Sequence, residues 1–202
     1  MNIVSGKLVE WRCDRHDDGA RVYFANHASH LDFVAIWSAL PRRSRRQVRP
    51  VAGRDYWEKT PARRFLADRV FHAVLIDRGG AASTGHPAGA RASLARMAGE
   101  IAQQHSLIVF PEGTRSLDGE IGTFKSGLFH LSRLCPDADL IPVYVDNLHR
   151  VLPKGEFFPV PLLSRVVFGL PLRAGPDEDK QAFLARARAA LLQLRGFDAS
   201  SN

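Results

Sequence analysis

Asn26-His27-Ala28-Ser29-His30-Leu31-Asp32 places an imidazole and a carboxylate in an H-x4-D spacing, directly after a short β-type run and ahead of an apolar helical pattern. A carboxylate on one imidazole nitrogen fixes the tautomer and leaves the other nitrogen to take a proton from an incoming hydroxyl. On a continuous helix, five residues at about 100° each hold two side chains roughly 140° apart, so the pair meets only if the chain turns between them. A strand-to-helix junction supplies such a turn. The same residues also have a plain structural use, because Ser29 and Asp32 have the spacing of a capping box in which Ser29 caps the helix and Asp32 reaches back. His30 lies two residues from Asp32 and points to a different helical face, so it is expected to be structural or merely near the site.

Cations and hydroxyls gather at three further points. Phe110-Pro111-Glu112-Gly113-Thr114-Arg115-Ser116 follows another β-type run, and its Pro and Gly force a tight turn at a strand end, where open α/β sheets place ligands. A guanidinium at Arg115 can grip a phosphate through two parallel hydrogen bonds, assisted by the hydroxyls of Thr114 and Ser116. An ordinary surface loop with a local Glu112–Arg115 pair has the same spacing. Asp77-Arg78 closes a third run, and Phe124-Lys125-Ser126-Gly127 brings a lysine to the start of a helical pattern, whose N-terminus favours an anion. Each cation taken alone reads as a surface charge.

Taken together, NHASHLD, VLIDR, FPEGTRS with the following FKSG, and IPVYV resemble, in order and approximate spacing, the four blocks of the glycerophospholipid acyltransferase superfamily, typified by lysophosphatidic acid acyltransferase. The resemblance covers residues 22–145. It implies that His27 is a general base partnered by Asp32 and that Arg78 and Arg115 bind an acceptor phosphate. It further implies that Glu112, Gly113 and Thr114 belong to that site, with Lys125 as an addition. It also implies a fatty acyl group moved from acyl-CoA or acyl carrier protein to the hydroxyl of a lysophospholipid such as 1-acylglycerol-3-phosphate, giving phosphatidic acid, with no cofactor and no metal. Two departures stand out: Leu75 occupies a position where the family usually has an aromatic, and the 26 residues before His27 lack the family's common hydrophobic segment. There is no G-x-S-x-G elbow, and Cys13 and Cys135 lie outside the blocks, so direct transfer is expected rather than an acyl-enzyme.

The elements that must position these residues follow from periodicity. Short β-branched or aromatic runs predict strands over 7–11, 22–25, 48–52, 73–76, 107–110, 141–145 and 166–168. Helical patterns occupy 31–40, 62–70, 90–104, 124–134 and 178–194, and a Gly/Ser/Ala/Pro-rich loop spans 79–89. Strands alternating with helices predict an α/β layered domain with a mixed, largely parallel sheet flanked by helices. At 202 residues the chain is expected to form a single domain, 1–202, with its motifs in 22–145.

Composition bounds the setting. Between Arg42 and Arg69 ten basic side chains face three acidic ones, which accounts for the whole net charge of +7 and predicts a local positive patch rather than a diffuse one. With Tyr56, Trp57 and Phe65 interleaved, and with the apolar run 157–163, this predicts docking on an anionic membrane surface. A solvated Arg-rich loop has the same composition. Two distant cysteines without ligand spacing suggest neither disulfide nor zinc and fit a reducing interior. No stretch approaches the roughly 18 apolar residues of a spanning helix. The expected place is therefore cytoplasmic, peripheral at the inner membrane face. A nucleic-acid module lacks any supporting signature, so no nucleic acid is expected. A thioesterase with water as acceptor would use the same base.

Overall fold

The computed structural model describes residues 2–4, 7–13, 19–29, 32–77, 87–116, 118–147 and 164–196. Eight strands form one sheet: β1 (Asn2–Val4), β2 (Lys7–Trp11), β3 (Arg21–Ala25), β4 (Val48–Gly53), β5 (Val74–Ile76), β6 (Ser106–Val109), β7 (Asp139–Asn147) and β8 (Ser164–Phe168). Their order is β1-β2-β8-β7-β3-β6-β4-β5. The run β7-β3-β6-β4-β5 is parallel throughout, while β8 pairs antiparallel to β7 and β1 antiparallel to β2. The sheet is thus mixed and mostly parallel, as the periodicity predicts. Crossover helices cover both faces of such a sheet, so its middle strands become continuous apolar runs. In β6 all four residues are buried, and in β3 only Arg21 is not.

The helices are α1 (Asp32–Ala39), α2 (Arg42–Arg45), α3 (Arg54–Trp57), α4 (Pro61–Phe65), α5 (Pro87–Ala102), α6 (Gly127–Leu134) and α7 (Lys180–Arg195). Alternation along β3 sorts the core into two layers. Val22 and Phe24 join the layer under α5, α6 and α7, with Leu131, Phe183 and Leu191, whereas Tyr23 and Ala25 join the layer under α1, with Phe33, Ile36 and Phe168.

The departures from the expected elements have local causes. The pattern over 62–70 is one helix in sequence but two in space: α4 runs straight into a π turn, Leu66–Val70, where Phe71 N–H donates to Leu66 C=O at 2.9 Å. Helix α5 starts at Pro87 rather than residue 90, because proline lacks the N–H that a first-turn residue leaves unused. Residues 79–86 of the expected loop lie outside the described residues, as do residues 157–163. Helix α6 starts at Gly127 rather than residue 124, because Lys125 N–H is drawn to Pro111 C=O at 2.8 Å before the helix begins. Strand β1 and helices α2 and α3 are too short for any periodicity to announce them.

All five parallel strands deliver their carboxyl ends to one edge of the sheet, where connections have to turn and ligands can approach. The β3–β7 pairing is prolonged past Ala25 by a side chain. Asn26 Nδ2 donates to Val145 C=O at 2.9 Å, and Asn26 Oδ1 accepts from Val145 N–H at 2.8 Å. That buried amide stands in for one more rung of the ladder and sets where His27 emerges. Asn26→Ala leaves both Val145 groups without partners and is expected to cost about 1–3 kcal/mol or more. The urea unfolding midpoint, at unchanged m-value, measures it.

Candidate active site

His27 leaves β3 at the strand edge, and α1 begins at Asp32, so the two residues face each other across a turn rather than along a helix. His27 Nδ1 lies 3.1 Å from Asp32 Oδ2. The same oxygen accepts from the backbone N–H groups of Ala28 and Ser29, each at 2.7 Å. Asp32 therefore performs the reach-back of a capping box and holds the imidazole with one atom. A carboxylate oxygen accepts hydrogen bonds, so the proton shared with the ring belongs to Nδ1 and Nε2 keeps its lone pair. Asp32 is fully buried, and the His27 side chain is 12% exposed. Phe110 stacks on the imidazole at a centroid distance of 4.1 Å and an interplanar angle of 20°, which fixes the ring plane from the other side. His30 lies outside the described residues.

The turn carrying His27 is tied to the turn after β6 through its backbone. His27 N–H donates to Glu112 Oε1 at 3.1 Å, and Ser116 N–H donates to His27 C=O at 2.7 Å. The second oxygen of Glu112 accepts from Gly122 N–H at 2.9 Å. Glu112 is buried, and both its oxygens are taken up by main chain. It thus braces the site's walls, each oxygen accepting from a main-chain N–H, while the residue also lines the open cleft that holds Arg115. Gly113 has φ +73°, and a Cβ there would lie 2.8 Å from Lys125 Cε and Nζ. Only glycine serves both the left-handed turn and the lysine lying over it.

The expected cations are distributed as follows. Thr114, Arg115 and Lys125 line one open cleft of about 490 Å³ together with Ser116 and Thr123, and Glu112, Asp118 and Glu120 line it as well. Thr114 and Arg115 are exposed, and the Thr114 hydroxyl donates to Arg115 C=O at 3.2 Å. Lys125 also lines a second cavity, so it stands between the cleft and His27. Arg78 lies outside the described residues. Among the described residues, no group of three or more His, Cys, Asp or Glu side chains is placed to hold a metal.

That second cavity, about 190 Å³, has His27, Phe110 and Lys125 in its lining and is otherwise walled by apolar groups, including Val51, Ile76, Met97, Val109 and Leu131 from β4, β5, α5, β6 and α6. A smaller pocket of about 30 Å³ meets His27 from the α1 side, walled by Phe33, Tyr56, Trp57 and Phe71. The imidazole is therefore the boundary between two apolar spaces. Sequence reasoning did not pick out Asn26 or Phe110 individually, although each is the first residue of a block, and it had no signal for Val51, Met97 or Leu131. Those three read only as core positions in three separate elements. Such an arrangement can take a proton at Nε2 from a hydroxyl while an apolar chain lies along the cavity and an anion rests near Lys125.

A family model described as Acyltransferase matches residues 10–146. A 1-acyl-sn-glycerol-3-phosphate acyltransferase of Limnanthes alba is 31% identical over 164 residues, covering 78% of this chain and 52% of that protein. The 1-acyl-sn-glycerol-3-phosphate acyltransferase alpha of Homo sapiens is 28% identical over 197 residues, covering 95% of this chain and 65% of the relative. The chain spans about half the length of the Limnanthes relative. The crystal structure of the 1-acyl-sn-glycerophosphate (LPA) acyltransferase of Thermotoga maritima superposes with a TM-score of 0.63 at 18% identity, covering 97% of this chain and 76% of that one, which shows a shared fold. With the matching model running from β2 to the end of β7 and enclosing His27, Asp32 and the Glu112 turn, this chain belongs to the acyltransferase family.

Proposed function

We propose that the chain transfers a fatty acyl group from an acyl thioester, carried by coenzyme A or acyl carrier protein, to the free hydroxyl of 1-acylglycerol-3-phosphate, giving phosphatidic acid. The observation that carries this reading is the His27 Nδ1 to Asp32 Oδ2 contact of 3.1 Å, with Nε2 making no hydrogen bond among the described residues and the ring lining an apolar cavity. His27 Nε2 takes the proton of the acceptor hydroxyl as its oxygen attacks the thioester carbonyl carbon. The tetrahedral intermediate then collapses, the carbon–sulfur bond breaks, and the thiolate leaves with the proton returned from His27. No residue becomes acylated and no cofactor is needed.

The relatives support the acceptor, since both are 1-acyl-sn-glycerol-3-phosphate acyltransferases. The cleft shared by Thr114, Arg115 and Lys125 offers two cations and a hydroxyl to the acceptor phosphate, its Glu120 carboxylate being paired with Arg195 and its Asp118 carboxylate accepting from the Ser116 hydroxyl and Glu120 N–H, with Arg78 as a third cation by its place in the second block. The cavity between β4 and α6 suits the acyl chain because it is walled by apolar side chains and reaches His27. The same reading puts the protein to work at an anionic membrane surface on the cytoplasmic side. No helix among the described residues is long and apolar enough to cross a membrane.

Two expectations test the assignment. His27→Ala removes the base and is expected to lower acyl transfer at least about 10²-fold to 10⁴-fold with the unfolding midpoint little changed. Transfer from labelled acyl thioester to 1-acylglycerol-3-phosphate is the measurement, and retained activity rejects the base. Thiol release that proceeds equally without any lysolipid would point to hydrolysis instead. Ile76→Trp fills the apolar cavity from its β5 wall and is expected to move donor preference toward shorter acyl chains. Competing medium- and long-chain thioesters in one assay reads that shift, and an unchanged ratio removes the cavity from donor selection.

A further inference from the structure

The basic stretch between Arg42 and Arg69 folds into a surface with two parts. One is an open cleft of about 440 Å³ whose walls include Arg42, Arg45, Arg46 and Arg49, with Val70 and Phe71 at its apolar side. Among the described residues no carboxylate lines it. Among the described residues the guanidinium groups of Arg42 and Arg46 have no ion pair, and both residues are exposed. Arg45 is held in place from within: its guanidinium donates to Leu40 C=O at 2.8 Å and to Ser38 C=O at 2.5 Å, and lies 5.4 Å from the Trp37 ring centre. Burial and the neighbouring charge of Arg42 hold the Arg45 guanidinium below its ordinary value. Like charges are thus gathered without a counter-charge, which is costly unless an anion joins them.

The other part is apolar. Phe65 is 61% exposed, Leu66 40% and Val70 43%, all on α4 and the π turn that continues it. A helix end facing water is expected to be polar there, and here the buried side of the π turn is provided by Ala67 instead. Arg64, in an ion pair with Asp68 at 3.7 Å, and Arg69 flank these residues, and Arg63 lies over the Tyr56 ring at 4.3 Å. Val70 belongs to both parts, so the apolar ridge and the arginine cleft are one surface. Phe71 faces the cleft on one side and the small aromatic pocket that reaches His27 on the other.

We infer that this face docks on an anionic bilayer, with Phe65, Leu66 and Val70 entering the interface and the Arg42/Arg45/Arg46/Arg49 cleft holding a lipid phosphate. Charge complementarity selects the occupant: an apolar ridge continuous with an arginine cleft, whose exposed Arg42 and Arg46 have no ion pair among the described residues, fits acyl chains beneath anionic headgroups. The inference rests on the reading that the acceptor is a lipid, and it places the route from the bilayer next to the aromatic pocket beside His27.

The test is co-sedimentation of the protein with vesicles of phosphatidylcholine, alone or mixed with phosphatidylglycerol, at low and high salt. Wild type is expected to bind the mixed vesicles and to be released by salt. Arg42→Gln and Arg46→Gln are each expected to weaken that binding about fivefold. Phe65→Ser with Leu66→Ser is expected to weaken it about tenfold or more, because two large exposed side chains no longer enter the interface. Leu170→Ser serves as the control, since that exposed leucine follows β8, four places from β4 in the sheet, and its binding is expected to match wild type. Wild-type binding by the Arg42, Arg46 and Phe65/Leu66 variants overturns the proposal, as does wild-type binding that ignores phosphatidylglycerol. Loss of binding to acyl carrier protein in the arginine variants, with vesicle binding intact, assigns the cleft to an acidic protein and also overturns it. Transfer to a short-chain, water-soluble lysophosphatidate, run in parallel, is expected to survive in every docking variant. If wild type lacks that transfer but binds vesicles as described, the proposed activity fails while the docking surface stands.

Discussion

The buried carboxylate of Glu112 is the constraint on which the site depends. Its two oxygens hold the N–H of His27, which follows β3, and the N–H of Gly122, from the segment leading to α6. Three chain segments with no local reason to meet are joined at one charged group. A buried carboxylate left without donors would be expensive, so each of these bonds is worth more than an ordinary turn contact, about 1.5–3 kcal/mol. Ser116 N–H on His27 C=O closes the clamp from the opposite side. With both backbone groups of His27 held, the imidazole has little freedom except rotation about its own side-chain bonds.

Asp32 and Phe110 remove that remaining freedom. The carboxylate of Asp32 is held by two backbone donors before it meets the ring, so it is a fixed reference rather than a flexible partner. Phe110 stacks against the face of the imidazole. A proton acceptor positioned in this way needs no reorganisation at the moment of transfer, which is where preorganised sites gain their rate. Capping of α1 and orientation of His27 are one interaction seen from two ends. The choice between a structural and a chemical role for Asp32 is therefore no choice, because the same oxygen does both.

Polarity is partitioned around His27 with equal economy. Apolar walls from β4, β5, α5 and α6 lie on one side, and the exposed Thr114, Arg115 and Lys125 cleft lies beyond Gly113. Gly113 is the hinge point of this division, because its left-handed backbone turns the chain and its missing Cβ lets Lys125 pass over it. The net positive charge is kept apart from that cleft, on α2 to α4, where it meets the exposed apolar ridge. One half of the molecule's chemistry thus looks inward to the sheet edge and the other outward to its surroundings.

The sequence by itself determined the layered α/β class, the parallel central strands, the strand-to-helix turn at His27 and the family, because these depend on local periodicity and on short blocks whose residue types carry their own geometry. It placed His27 against Asp32, since five residues around a turn are a local matter. Only the tertiary structure decided that Glu112 spends both oxygens on main chain, that Asn26 extends the β3–β7 ladder, and that Val51, Met97 and Leu131 wall one cavity. It also decided that Leu66 and Val70 join Phe65 on the outside, because a π turn shifts the helical register after Phe65 and no sequence period announces that. The physical reason is separation along the chain: contacts between β3, β6 and β7 span roughly eighty to one hundred and twenty residues, and which side chains they bring together follows from sheet register.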